Sequence, residues 1–196
     1  MIKLILFDLG GVVFTNGTKK FIRIISDRYR KTVEEVSGVI DGEIGTLYRE
    51  AKIDRDEFWR RVIDRLGLTQ TADELELEWI SGYELIRGTK EIIDKLKSNY
   101  QVWYLSDNVK ERVDGLEKAF GFLNWFDGGL FSHEVGARKP SPEIYKMVLE
   151  KTGVEAGEII FIDDKESSLI PAEELGMHTL LFESPEKLTS DLSRVL

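Results

Sequence analysis

The first eleven residues contain the feature that most constrains the fold, an apolar segment that ends in a carboxylate. The segment runs from Ile2 to Phe7 with one interruption, and Asp8 follows it directly, ahead of Gly10 and Gly11. Such a run is typical of a strand buried on both faces of a parallel sheet, whose carboxyl end is where open α/β sheets bind ligands. Glycines there allow other atoms to approach the backbone. Asp8 is therefore either a nucleophile or metal ligand, or the cap of the turn after the strand.

From residue 87 onward, strand-like segments alternate with segments of helical periodicity. Alternation of this kind predicts a parallel sheet that is covered on both faces. The expected fold class is therefore α/β, a Rossmann-like parallel sheet with helices on both faces. Two Ser-Pro pairs, at residues 141–142 and 184–185, are typical helix starts. The predicted elements are a helix at 89–99, a strand at 101–106, a helix near 109–120, a strand at 129–132, a helix at 141–151, a strand at 158–163, a helix at 166–176 and a strand at 178–183.

Between the first strand and the alternating region, apolar residues recur at helical spacing. Turn signals at Asp41-Gly42, Gly45, Gly67 and Gly82 divide residues 19–86 into about four helices. An insertion at this position either covers a site at the strand ends or only adds core. We favour a helical cap inserted after the first strand. The predicted boundaries are a cap at 15–86 and a Rossmann-like core made of 1–14 and 87–196.

The segment that joins the first strand to the insertion has its own turn signal. Residues 10–18 contain a short apolar run followed by Asn16-Gly17. An Asn-Gly pair after such a run predicts a tight turn or hairpin. We expect this turn to lie over Asp8.

Composition limits the partners and the chemistry. The formal charge of −9 disfavours general binding to nucleic acid, although a small anionic substrate remains possible where positive charge is concentrated. The absence of cysteine excludes thiol nucleophiles and Cys-based zinc sites. No apolar stretch approaches the roughly 20 residues of a membrane span. The expectation is a cytoplasmic protein with no nucleic-acid or membrane partner, and the sequence leaves the oligomeric state open.

Polar residues follow several of the predicted strands. Asp8 follows the first strand, Ser106 with Asp107 and Asn108 ends the second, and Asp163-Asp164 ends the fourth. In a parallel sheet these residues gather at one edge, and Lys139 lies in a loop that can join them. Carboxylates about 4 Å apart repel by roughly 4 kcal/mol at an effective dielectric near 20, so a lysine, a divalent cation or both should lie nearby. Oxygen ligands favour Mg²⁺.

Four sequence motifs contain the polar residues that follow the predicted strands. They are Phe7–Val12, Leu105–Asn108, Val135–Tyr145 and Phe161–Asp164. In this order they resemble the haloacid dehalogenase superfamily of hydrolases, most of whose members are Mg²⁺-dependent phosphatases. With the helical insertion, the resemblance covers nearly the whole chain. Together with Leu175-Gly176-Met177, the motifs are most similar to the branch that contains the phosphatase domain of soluble epoxide hydrolases and small sugar-phosphate phosphatases.

The resemblance implies a role for each site residue. Asp8 would attack phosphorus and form an aspartyl-phosphate that water hydrolyses. Ser106 and the amides of Asp107 and Asn108 would bind the phosphoryl oxygens, and Lys139 would pair with both Asp8 and the phosphate.

The same resemblance implies a Mg²⁺ cofactor and a small phosphorylated metabolite as substrate, with sugar phosphates among the candidates. The metal ligands would be Asp8, the carbonyl oxygen of Gly10 and the carboxylate of Asp164. Asp163 would support the metal through water or through Lys139.

Gly10 departs from the family pattern. The family usually has a second Asp at this position, which protonates the leaving alcohol and later activates water. Loss of such a group typically lowers the rate by about 10²–10⁴-fold. Solvent, Thr15, Asn16, Asp41 and Glu43 are the candidate replacements.

Two alternatives follow from this departure. The 2-haloacid dehalogenases of the same superfamily also lack the second Asp, attack carbon and use no metal. A catalytically weak binding or regulatory protein with the same fold is the other alternative. We favour the phosphatase, because paired carboxylates at Asp163-Asp164 are best explained by a cation.

Overall fold

A five-stranded sheet, entirely parallel, forms the centre of the computed structural model, which describes all 196 residues. The strands are β1 (Leu4–Phe7), β2 (Gln101–Ser106), β3 (Gly128–Phe131), β4 (Ile159–Asp163) and β5 (His178–Leu181). Their spatial order is β3-β2-β1-β4-β5, so β1 lies in the middle and pairs with β2 and β4. Every residue of β1 is buried, which explains its continuous apolar sequence. The predicted α/β class is confirmed.

Five helices follow β1, ahead of the sixth helix, Arg87–Leu96, that leads back into the sheet. They lie where helical spacing of apolar residues was predicted, although they number five and not about four. Side-chain caps define several of their starts, as with Thr32 and Thr71, each of which forms a capping box with a glutamate three residues later. The five are α1 (Gly17–Tyr29), α2 (Val33–Ile40), α3 (Glu43–Arg49), α4 (Arg55–Leu66) and α5 (Ala72–Ser81).

The remaining helices alternate with the strands, as predicted, with ends that differ by up to three residues. Because the connections between parallel strands cross over, these helices cover the sheet. They are α6 (Arg87–Leu96), α7 (Lys110–Phe120), the short α8 (Ser132–Val135), α9 (Pro142–Thr152), α10 (Glu166–Glu174) and α11 (Pro185–Val195).

Of the tight turn or hairpin predicted at residues 10–18, the turn is present at residues 11–13, whereas the hairpin and the place of Asn16-Gly17 in the turn are wrong. Asn16 is the N-cap of α1, where its side chain accepts a hydrogen bond from the Lys19 amide, and Gly17 is the first residue of the helix. Phe14 instead forms single bridges with Gly10 and Leu85. The Asn-Gly pair lies at a helix start because Asn is favoured both at helix N-caps and in hairpin turns.

Of the two Ser-Pro helix starts, one is as expected and the other differs in detail. Ser184 caps α11 through the Lys187 amide, but the Ser141 hydroxyl bonds the Glu143 carboxylate and caps no backbone amide. Proline at the first helical position still begins α9.

An aromatic cluster joins the five helices to the rest of the protein. Trp79 of α5 stacks on Phe21 of α1, with ring centroids 4.8 Å apart, and packs edge-on against Trp59 of α4. On Trp79 lies the guanidinium of Arg112 from α7, 3.8 Å from the ring centroid. Arg112 also donates to Asn108 Oδ1 at 3.2 Å. The cluster therefore extends from the helices to the loop after β2.

No helix of the structure combines the length and the apolar composition that crossing a lipid bilayer requires.

Candidate active site

The carboxyl edge of the sheet brings together three of the predicted site segments. Asp8 immediately follows β1, Ser106 is the last residue of β2, and Asp163 is the last residue of β4. The Asp8 amide donates to the Ile162 carbonyl at 2.8 Å, which continues the pairing of β1 with β4 up to the site. All three side chains are buried, and all three line one cavity. Parallel pairing therefore places these polar residues side by side, as the sequence predicted.

Lys139 connects two of the carboxylates. Its Nζ lies 2.7 Å from Asp8 Oδ1 and 2.5 Å from Asp163 Oδ2, and the lysine is only 6% exposed. The loop that carries it is fixed by a hydrogen bond from the Lys139 amide to Asp107 Oδ1, at 2.9 Å. This loop precedes α9, and the hydrogen bond spans 32 residues of sequence. Lys139 is thus held in place at both its backbone and its ammonium group.

Burial and neighbouring charges shift the pKa values of both Asp8 and Lys139. Burial raises the pKa of Asp8 to about 7; Lys139 opposes this, whereas the negative charges of Asp163 and Asp164 add to it. Burial by itself would lower the pKa of Lys139, but Asp163 and Asp8 outweigh it and raise that pKa. Lys139 therefore stays an ammonium ion, and it is the only cation in hydrogen-bond contact with Asp8.

Asp164 completes a cluster of three acids. One oxygen each from Asp8, Asp163 and Asp164 can be chosen so that all lie within 4.8 Å of one another. Asp164 approaches Gly11 so closely that a Cβ on this glycine would lie 2.6 Å from Asp164 Cγ, and Gly11 has a φ of +98°. Of the two glycines predicted to allow close approach, Gly11 does so, whereas nothing lies within 4 Å of a Cβ added at Gly10.

The donor set fits a divalent cation with hard oxygen ligands. Asp164 Oδ1 is buried and has no hydrogen-bond partner, a costly state for a carboxylate oxygen that a metal ion would relieve. Asp163 is different, because its Oδ1 accepts from the Lys165 amide at 2.8 Å and its Oδ2 accepts from Lys139. Asp163 is therefore largely engaged by protein donors, and Asp164 has the free ligand atom.

The three predicted phosphate-binding residues differ in what they offer. Ser106 Oγ makes no hydrogen bond within the protein and lines the cavity, so it is free to bind a ligand. Asp107 also lines the cavity, but its oxygens accept from the Lys139 amide and from Arg138 Nε. The amide of Asn108 donates to Ser132 Oγ at 3.0 Å, so it is not free for a phosphoryl oxygen. The Asn108 side-chain oxygen accepts from the Val109 amide and from Arg112.

The cavity over the cluster has a volume of about 190 Å³ and walls from both parts of the chain. The sheet edge contributes the acids, and the five helices with their leading segment form the opposite side. The lining residues from residues 15–86 are Asn16, Thr18, Lys19, Asp41, Arg49 and Tyr83.

Arg138 is a site residue whose role sequence reasoning missed. Its Nε lies 3.2 Å from Asp107 Oδ2 and its Nη1 lies 2.8 Å from Thr46 Oγ1 of α3. Arg138 therefore links the loop after β2 to the helical segment. Only its position directly before Lys139 could have drawn attention to it.

The candidate replacements for a proton-transfer group separate into two pairs. Asn16 and Asp41 line the cavity, and Asp41 forms an ion pair of 2.6 Å with Arg49. Thr15 and Glu43 do not line it: Thr15 accepts from the Glu84 amide, and Glu43 lies at a separate surface depression near Lys31. Neither histidine of the sequence lines the cavity.

Comparison with known proteins agrees with this geometry. The sequence model of the haloacid dehalogenase-like hydrolases matches residues 2–176. The chain belongs to this family. It is therefore a hydrolase, and the named relatives below that match it in sequence are phosphatases or phosphate-ester hydrolases.

Two relatives illustrate the range of similarity. Flavin mononucleotide hydrolase 1 of Arabidopsis thaliana is 37% identical over 170 residues, which are 82% of this chain and 60% of that protein. D-ribitol-5-phosphate phosphatase of Bacteroides thetaiotaomicron is 27% identical and covers 100% of this chain and 99% of its own length. The chain thus spans less than two thirds of the plant enzyme and nearly all of the bacterial one.

Solved structures share the fold. A family enzyme from Bacteroides thetaiotaomicron, crystallised with magnesium and inorganic phosphate, has a TM-score of 0.75 and 25% identity, covering 94% of this chain and 96% of its own. A family hydrolase from Porphyromonas gingivalis has a TM-score of 0.82 at 22% identity, over 100% of this chain and 98% of its own. The second comparison bears on the fold alone.

Proposed function

We propose that the protein is a Mg²⁺-dependent phosphatase that hydrolyses a small phosphorylated metabolite through an aspartyl-phosphate on Asp8. The observation that carries this proposal is the cluster of Asp8, Lys139, Asp163 and Asp164, of which the first three line one cavity. The bacterial family enzyme with bound magnesium and phosphate supports the same assignment. The cavity volume of about 190 Å³ favours a small molecule as the substrate.

Asp8 serves as the nucleophile in this proposal. Lys139 contacts Oδ1, whereas Oδ2 accepts no hydrogen bond within the protein and is the oxygen free to attack. Lys139 neutralises part of the repulsion between this carboxylate and an incoming phosphate, two anions that must meet. Ser106 Oγ is the free hydroxyl that binds a phosphoryl oxygen from the β2 side.

The Mg²⁺ ion would be held by Asp164 and Asp8, with the Gly10 carbonyl as a further ligand and Asp163 supporting through Lys139 and the Lys165 amide. Bound there, it supplies positive charge for the phosphoryl oxygens. We further propose that helices α1–α5, within residues 15–86, act as the cap that closes the cavity over the substrate. The walls contributed by Lys19, Asp41 and Arg49 support this role.

The test is turnover of p-nitrophenyl phosphate by the purified protein with and without Mg²⁺. We expect Mg²⁺-dependent release of p-nitrophenol, and a fall of at least about 10³-fold in Asp8→Asn, which removes the nucleophile and keeps the side-chain shape. Asp56→Asn is the matched control, because Asp56 is an exposed aspartate that does not line the cavity. Mass spectrometry of rapidly quenched enzyme should detect the phosphorylated Asp8 peptide.

The dehalogenase alternative predicts opposite results. A dehalogenase would release chloride from a 2-chloro acid in EDTA and would leave p-nitrophenyl phosphate intact. The unpartnered Asp164 Oδ1 argues against it, since a metal-free reaction leaves this buried oxygen without a role. Equal phosphatase rates in the wild type and Asp8→Asn would support the catalytically weak binding protein instead.

A further inference from the structure

The further inference concerns the leaving group of the substrate, and it rests on the proposed function. Departure of an alkyl alcohol from phosphorus needs a proton, because an alkoxide is about as strongly basic as hydroxide. Enzymes usually supply this proton from a positioned side chain, at a gain of about 10²–10⁴-fold. The residues around the cavity therefore indicate which leaving groups the site can release.

Each carboxylate of the cavity wall is already committed. Asp107 accepts two hydrogen bonds, from the Lys139 amide and Arg138, and Asp163 accepts two, from Lys139 and the Lys165 amide. Asp41 is paired with Arg49 at 2.6 Å. These carboxylates already accept hydrogen bonds from protein donors. Asp8 itself is the nucleophile.

The other groups of the wall do not replace a carboxylic acid. No histidine, glutamate or cysteine lines the cavity. The Tyr83 hydroxyl is hydrogen-bonded to Thr18 at 3.1 Å, and Lys19 Nζ lies 3.7 Å from Asp164. Lys165 is an exposed residue whose amide, and not its ammonium, contacts the cluster. The wall thus contains no uncommitted acid next to the nucleophile.

Gly10 leaves open space at this same place. It lines the cavity two residues after Asp8, and a Cβ built on it meets no atom within 4 Å. Its φ is not in the left-handed region that favours glycine. Neither the backbone nor its neighbours therefore require glycine here, and a side chain would point into free volume beside the reacting groups.

We infer that the physiological substrate has its phosphoryl group on a weakly basic oxygen, as in an acyl, enol or aryl phosphate. Carboxylic acids and phenols have pKa values of about 4 and 10, so their anions depart with little or no help from a proton. Two of the relatives are named after flavin mononucleotide and D-ribitol-5-phosphate, whose phosphates are on alkyl oxygens. The inferred substrate of this chain therefore differs from these two compounds in the oxygen that carries the phosphoryl group.

The chemistry balances without a proton donor. An Asp8 oxygen forms a bond to phosphorus, the bond from phosphorus to the leaving oxygen breaks, and the leaving group departs as an anion with both electrons. Water then attacks the phosphorus of the aspartyl-phosphate, and the Asp8 carboxylate leaves as an anion. Both protons of the water stay on the product, dihydrogen phosphate. The second leaving group is a carboxylate, so this step also needs no acid.

The test compares acetyl phosphate, p-nitrophenyl phosphate and ethyl phosphate as substrates of the Mg²⁺-loaded wild type, Gly10→Asp and Gly10→Asn. In the wild type, we expect kcat/KM for ethyl phosphate to lie at least about 10²-fold below the values for the other two. Gly10→Asp should raise the kcat/KM for ethyl phosphate, relative to that for acetyl phosphate, by about 10²-fold, because it adds a proton donor in the free volume. Its ethyl phosphate activity should fall as the pH rises through the pKa of the new acid.

Three results would overturn the inference. The first is equal hydrolysis of ethyl and p-nitrophenyl phosphates by the wild type. The second is a gain in ethyl phosphate activity that is as large in Gly10→Asn as in Gly10→Asp. The third is a selective loss of ethyl phosphate activity in Lys19→Met, which removes an ammonium group of the cavity wall. The wild-type ratio decides the matter even if a Gly10 variant fails to fold. Absence of turnover with all three phosphates in every protein would instead refute the proposed phosphatase function.

Discussion

The two sides of the active-site cavity differ in how fully their charges are compensated. At the sheet edge, three carboxylates, Asp8, Asp163 and Asp164, have one buried ammonium between them, and one oxygen of Asp164 has no partner. On the helical side, buried Arg49 donates to three acceptors: Asp41 and the carbonyls of Ile40 and Gly45. The edge lacks positive charge, and the helical wall does not.

This difference indicates a division of labour. An uncompensated set of carboxylates binds a metal ion tightly, because the ion removes repulsion that the fold itself leaves in place. A compensated arginine mainly fixes the shape of the wall that surrounds it. Variants that remove one charge at a time from either side therefore test whether the two sides differ in this way.

The largest effect on stability is expected at Lys139. Lys139→Met leaves Asp8 and Asp163 buried without their cation, so the free energy of unfolding in EDTA should fall by about 3–5 kcal/mol. Mg²⁺ should restore part of this loss. The matched variant on the helical side is Arg49→Met, which should cost less because its partner Asp41 is 43% exposed and can be hydrated. Recovery of both variants by Mg²⁺, measured by chemical denaturation, would remove the distinction between the two sides.

The next effect is stabilisation by Mg²⁺ itself and its dependence on pH. At a concentration of 100 times its dissociation constant, Mg²⁺ should stabilise the wild type by about 2.7 kcal/mol. Because burial raises the pKa of Asp8 to about 7 in the metal-free protein, protons compete with the metal at lower pH. The affinity should therefore be about tenfold weaker at pH 6 than at pH 8, or about 1.4 kcal/mol. Calorimetric titration at both pH values measures this difference.

Asp164→Asn is the companion variant for that titration. It removes the carboxylate whose Oδ1 has no protein partner and should abolish Mg²⁺ binding at both pH values. Tight binding that persists in Asp164→Asn, or that is independent of pH in the wild type, would contradict the assignment of the metal site.

A smaller effect distinguishes the two adjacent glycines of the edge. Gly11→Ala forces a left-handed φ of +98° on alanine and drives its Cβ into Asp164, at a cost of about 1–3 kcal/mol. Gly10→Ala should change the free energy of unfolding by less than about 1 kcal/mol, because nothing lies near its Cβ. Thermal unfolding of the two variants tests this contrast, and equal losses would contradict it.

The smallest effect concerns the contact between the helices and the core. The Tyr48 hydroxyl of α3 donates to Glu111 of α7 at 2.7 Å. Tyr48→Phe should cost about 1 kcal/mol, since the partly exposed Glu111 can bind water instead. Tyr100→Phe is the control, because the Tyr100 hydroxyl makes no hydrogen bond within the protein. A similar loss in both variants would mean that this contact contributes nothing specific.

The sequence predicts the sheet edge better than the wall opposite it. Asp8, Ser106 and Asp163 follow buried apolar strands, and parallel pairing then leaves little freedom in where their side chains meet. The contact of Arg138 with Thr46 spans 92 residues and depends on how α3 packs, which no local pattern encodes. The Asn108 amide was likewise expected to bind a phosphoryl oxygen, but it donates to Ser132 Oγ. That contact also depends on tertiary packing.

The position of Trp79 in the aromatic cluster links its fluorescence to the cavity. Trp79 lies between the ring of Phe21 and the guanidinium of Arg112, and Arg112 also binds the Asn108 side chain at the cavity wall. A ligand that draws Asn108 toward itself shifts a positive charge beside the indole. Intrinsic fluorescence should therefore register occupation of the cavity without any label, and Trp79→Phe should silence that signal.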